Sequence, residues 1–113
     1  MSIDNELEQV EISIDTAKKT IEKMKAFNRL VDNKDFKTII EEGYFKEEAS
    51  RIVMLKADPN MQEEQYQKQL DASIIAIGYL RQYFVTINQL GRMAQNSLES
   101  DQQTREELLA EAV

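Results

Sequence analysis

The adjacent glutamates Glu41-Glu42, Glu47-Glu48 and Glu63-Glu64 are among the residues here whose type best suits acid–base or metal chemistry. That chemistry needs two carboxylates facing one another, close enough to share a proton or a cation. Neighbouring residues on a helix point about 100° apart, so none of these pairs readily does so. Their simpler meaning is helix solubility and stabilisation of the first-turn dipole. The sequence has no histidine and no cysteine. The commonest general base and the usual ligands of zinc, haem and iron–sulfur clusters are therefore missing, and a disulfide framework is excluded. The three glycines stand alone, which leaves no glycine-rich phosphate loop. No HExxH or calcium-loop pattern occurs, and no serine, threonine or tyrosine has a histidine base near it in sequence. The expectation is a non-enzymatic protein with no catalytic, cofactor or metal site, which must act by contact.

The elements that would make such contacts are helical. The chain has 113 residues, enough for one domain over 1–113, with 31% charged residues, three glycines and one proline. The N-terminal stretch MSIDNELEQVEISID is acidic and lacks the apolar run of a signal peptide. The longest apolar run, Ile74 to Leu80, is far short of a membrane span, and no lipidation motif occurs at either end. No membrane association is expected.

Ile3, Leu7, Val10, Ile14, Ala17, Ile21, Met24 and Val31 follow a 4-3-4-3 spacing, with Asn28 in the remaining slot. This is a coiled-coil seam, and it predicts a first helix over about residues 4–32. Asn28 either sets register or sits at the seam margin. Phe27 and Leu30 lie off the seam, so that end of the helix needs a second cover. Asp32 or Asn33 can cap a short helix over about 34–42, with Phe36, Ile39 and Ile40 inward and Gly43 as its stop. A second short helix follows over about 45–57, with Ala49, Ile52, Val53 and Met54 as its inner residues. Asp58-Pro59-Asn60 restarts the chain, with Asp58 or Asn60 as cap. A long helix over about 59–107 carries the seam Tyr66, Leu70, Ile74 (with Ser73), Ile77, Leu80, Phe84, Ile87, Gly91, Ala94 and Leu98. Residues 99–107 are polar nearly all round, a frayed or solvated extension, and Leu108, Leu109, Ala112 and Val113 form an apolar tip. Ile3–Val31 and Leu70–Leu98 both span 28 steps. The predicted fold is all-α: a long antiparallel helical hairpin, coiled-coil-like, with two short helices at one end.

The last helix has a second apolar face, made of Ile75, Tyr79, Tyr83, Leu90 and Met93. It is either further core, covered by the middle segment, or a self-association or partner surface. Gly78 and Gly91 inside that helix each cost about 1 kcal/mol relative to alanine. Close packing against the first helix is the expected reason for Gly91.

Charge is segregated along the chain. Residues 1–15 carry five net negative side chains and residues 99–113 four, which leaves 16–98 net positive against an overall charge of −7. In an antiparallel hairpin the two acidic segments lie together, suited to steering toward a basic surface and to repelling nucleic acid. The basic stretch Lys18 to Lys37 is diluted by acids and lacks interleaved aromatics, so nucleic-acid binding is disfavoured.

The run NKDFKTIIEEGYFKEEASRIVMLKADPNMQ, followed by DASIIAIGYLRQYF, resembles a set of small all-helical proteins encoded by tailed bacteriophages. The resemblance spans roughly residues 28–98. Its most specific parts are Asp35-Phe36-Lys37, Gly43-Tyr44-Phe45-Lys46-Glu47-Glu48 and Lys56-Ala57-Asp58-Pro59. It implies a phage origin, a place among structural or assembly genes, and a location in the host cytoplasm or the virion. The expected function is then that of a virion component, scaffold-like factor or assembly chaperone. Its partners would be copies of itself, as a homo-oligomer, and phage structural proteins, met through Ile75, Tyr79, Tyr83, Leu90 and Met93. The alternative is a small inhibitor or sponge that binds a host defence protein or a signalling nucleotide, with Lys34, Lys37, Tyr44 and Lys46 as its contacts. A nucleic-acid-binding packaging factor ranks third, against the net charge of −7.

Overall fold

The computed structural model describes residues 2–112. Its elements in chain order are α1 (Ile3–Val31), α2 (Lys34–Phe36), a π-helical segment (Lys37–Glu48), α3 (Ala49–Ala57), a 3-10 turn (Pro59–Met61) and α4 (Glu64–Ala112). No strand occurs among the described residues. The protein is an all-α helical hairpin, and it divides into two compact units. Residues up to 27 join those from 86 onward in one, and residues 28–85 form the other.

In the first unit, α1 opens with the Ser2 hydroxyl accepting from the Asn5 N–H at 3.3 Å, and Asp4 and Glu6 sit in its first turn, where the helix dipole favours acids. Ile14, Ala17, Ile21 and Met24 are buried along its seam. Ala17 and Ile21 pack with Ala94 of α4, and Leu98 closes over them. Farther along, the Ser13 hydroxyl donates to Asp101 and Glu11 pairs with Arg105 at 3.5 Å. Partners on α4 rise in number as those on α1 fall, so the two helices run antiparallel. The expected polar extension is helical: α4 continues through Ala112. Leu108 is half-buried and Leu109 is exposed, while Val113, the last residue of the expected apolar tip, lies outside the described residues.

In the second unit, the Asn33 side chain accepts from the Phe36 N–H at 3.0 Å and caps α2, as its position before a helix suggests. Gly43 does not stop a helix there. It has no positive φ, and helical turns carry the chain from Lys34 through to Ala57. Packing explains this: Tyr44 and Phe45 press on the buried cluster of Ile52, Leu70 and Ile77, and such contacts override glycine's weak propensity. The wider turns also re-phase the segment. Phe36, Ile40, Tyr44 and Phe45 become its half-buried residues, while Ile39, expected inward, is 65% exposed. On α3 only Ile52 is fully buried, and Val53 and Met54 face out instead of in. Leu30 also stays largely exposed, without the cover expected for it.

The long helix does not begin at Pro59. Asp58 accepts from the Asn60 N–H at 2.9 Å and caps a single 3-10 turn, after which α4 starts at Glu64. Two glutamine side chains hold this corner. Gln62 Nε2 donates to the carbonyls of Lys56 (2.8 Å) and Asp58 (2.7 Å), and Gln67 Nε2 to those of Lys56 (3.2 Å) and Met61 (2.8 Å). They satisfy the Lys56 carbonyl at the end of α3 and bind the Asp58 and Met61 carbonyls of the turn that follows. An ion pair from Lys56 to Asp71 ties the same corner to α4. Phe84 gathers the aromatic residues of this unit, with ring centroids 5.8 Å from both Phe36 and Phe45 and 6.3 Å from Tyr83.

Candidate interaction surfaces

Each of the pairs Glu41-Glu42, Glu47-Glu48 and Glu63-Glu64 is tied into the helix surface through one member. Glu42 accepts from Lys46 at 3.0 Å, Glu48 from Arg51 Nε at 3.0 Å, and Glu64 pairs with Lys68 at 3.1 Å. These are three- and four-residue spacings on single helices, the geometry of surface ion pairs. The bidentate grip of Arg51 holds the Glu48 carboxyl below its ordinary range: the hydrogen bond lowers it most, desolvation opposes, and the positive charge of Arg51 lowers it further.

The four residues considered for anion recognition do not form a cationic pocket. Lys34 and Lys37 are exposed. Lys46 pairs with Glu42, and Tyr44 is half-buried against the Ile52 cluster. The hollow that Tyr44 does line is formed with Ile39, Ile40, Gly43 and Glu48, so it contains no cationic side chain.

The second face of α4 is not core. In the unit formed by residues 28–85, Ile75 is 54%, Tyr79 72% and Tyr83 48% exposed, although this unit contains the whole middle segment that could have covered them. In the other unit, Leu90 is 49% and Met93 63% exposed. The seam residues of the same helix, Leu70, Ile77, Ile87 and Ala94, are buried. One helix thus presents a buried apolar face to its own chain and exposes further apolar residues to the surroundings.

The first unit also carries a feature that seam spacing alone did not single out. An open groove of about 350 Å³ runs between α1 and α4, lined by Ser13, Thr16, Ala17, Thr20, Leu90, Ala94 and Ser97. None of these is ionisable, in a chain with 31% charged residues. The signal was present in the sequence: Ser13, Thr20, Leu90 and Ser97 each stand one position before a seam residue. The positions just after the seam on α1, Glu11, Lys18 and Lys25, are all charged. In a heptad these two sets lie on opposite flanks of the seam.

Among the described residues, no helix is long and apolar enough to cross a membrane. Comparison with known proteins gives no relatives: no family model, curated protein or solved structure matches this chain.

Proposed function

We infer that this protein works by helix-mediated protein–protein contact, as a structural or assembly component of a tailed-phage particle. The observation that supports contact as its mode of action is the exposure of Tyr79 at 72%, with Ile75 and Met93 more than half exposed, on a helix whose other face is already packed. Large apolar and aromatic side chains standing in water are the raw material of binding hot spots. The phage role rests on the resemblance of residues 28–98, and the segregated acids suit a basic partner surface. The absence of a cationic side chain from the Tyr44 hollow and the pairing of Lys46 with Glu42 disfavour the nucleotide-sponge alternative.

The test is co-purification of the tagged protein with capsid, portal and tail proteins. Association with one component, weakened by Ile75→Ser with Tyr79→Ser, is the expected result. Association with none of them overturns the reading.

A further inference from the structure

The uncharged groove of the first unit has walls of Thr16, Thr20, Leu90 and Ser97 and a floor of Ala17 and Ala94. The Thr20 hydroxyl donates to the Thr16 carbonyl at 3.1 Å, so the groove does not offer that hydroxyl as a free donor. Half-exposed Leu90 sits on one wall, and strongly exposed Met93 lies one helical turn along the same helix. A surface of this kind suits the side of another helix, with small residues allowing close approach and Leu90 as the knob.

Charge decides which helix. On one side of the groove's midpoint, residues 2–15 and 99–112 of this unit contribute nine net negative side chains. On the other side, residues 16–27 and 86–98 carry Lys18, Lys19, Lys23, Lys25 and Arg92 against Glu22, four net positive. The switch from acid to base falls between Asp15 and Lys18, at the level of Thr16.

We propose that this groove takes a second copy of the same chain, packed antiparallel about a two-fold axis near Thr16, so that the acidic part of each copy lies along the basic part of the other. A parallel arrangement would set the acidic halves of the two copies side by side, and like-charge juxtaposition at an interface is strongly disfavoured. The two-fold arrangement is self-complementary: Gln9, seven residues before Thr16, meets Lys23, seven after it. A face roughly 30 Å long and 20 Å wide buries about 600 Å² per copy, at the lower edge of a specific interface. The interface is therefore expected to be reversible. This inference rests on the contact-making reading above and names one of its partners.

The sequence has no native cysteine, so introduced ones report cleanly. Sedimentation of the full chain should show a concentration-dependent dimer, with Leu90→Lys weakening it at least roughly tenfold while helicity by circular dichroism is unchanged. Under mild oxidation Thr16→Cys should link to itself. A mixture of Gln9→Cys and Lys23→Cys chains should form mixed disulfides in preference to either self-linked product. Monomers up to the millimolar range, self-linking of Gln9→Cys, or a dimer indifferent to Leu90→Lys would each overturn the proposal. Failure here is distinct from failure of the broader reading. A monomer that still co-purifies with a particle component refutes only the dimer, and a dimer that binds no component refutes only the assembly role.

Discussion

Met24 fills the space that a side chain at Gly91 would need: a Cβ built on Gly91 would stand 2.5 Å from the Met24 Cβ. The glycine at this buried seam position of α4 is what lets α1 come so near. Gly91→Ala should therefore destabilise the protein by about 1–3 kcal/mol, because both helices must shift to admit one methyl group. Gly78 provides the internal control. A Cβ there would meet nothing within 4 Å, so Gly78→Ala should stabilise by up to about 1 kcal/mol through helix propensity alone. Urea denaturation of the two variants should move their midpoints in opposite directions.

The corner between α3 and α4 depends on side-chain amides. Gln67 is partly buried and donates to two carbonyls at once. Gln67→Leu should cost about 1–3 kcal/mol, since the Lys56 and Met61 carbonyls lose a partner. Gln62→Leu should cost less, because Gln62 is itself exposed and the Lys56 carbonyl keeps Gln67 as a donor. Amide hydrogen exchange should show the Gln67 variant's loss first around residues 56–67.

The Glu48–Arg51 pair predicts a pH effect of defined sign. The folded chain holds the Glu48 carboxyl below its unfolded value, so its contribution is present above the ordinary carboxylate range and fades as pH falls through the lowered folded value. Arg51 is largely solvated and the pair lies at the surface within one run of helix, so the effect on global stability should be small. The clear readout is the side-chain carboxyl resonance of Glu48. Its titration midpoint should rise toward the ordinary value in Arg51→Gln.

The exposed residues of α4 should separate stability from association. Ile75→Ser and Tyr79→Ser should leave the unfolding free energy within about 0.5 kcal/mol, as expected of surface substitutions. Buried Ile52→Ala, by contrast, should cost about 2–5 kcal/mol. If the α4 face makes contacts, the first two variants lose partner binding while remaining folded.

Seam spacing made much of this fold legible. The heptads of Ile14 to Met24 and Leu70 to Ala94 mark buried positions that local pattern alone specifies. The middle segment was harder to read for a physical reason. Gly43 has the local chemistry of a helix stop, yet Tyr44 and Phe45 find cover on Ile52, Leu70 and Ile77, and that long-range packing keeps the chain helical. Once its turns widen, the three-and-four spacing that pointed Ile39 inward no longer applies. Val53 and Met54 illustrate the same limit, since the number of neighbours around a short helix is invisible in its own sequence. The groove beside the seam was encoded all along in uncharged Ser13, Thr20, Leu90 and Ser97. It emerges only when the two flanks of the heptad are compared.

The antiparallel pairing of α1 with α4 underlies the groove, the charge map and the Gly91 argument alike, and one cross-link tests it directly. Glu6 and Leu108 line a common hollow in the first unit. In dilute solution the double variant Glu6→Cys with Leu108→Cys should close an intramolecular disulfide in nearly every chain, giving a product of monomer mass. Efficient closure of Glu6→Cys with Leu90→Cys instead, and none with Leu108→Cys, would contradict the pairing.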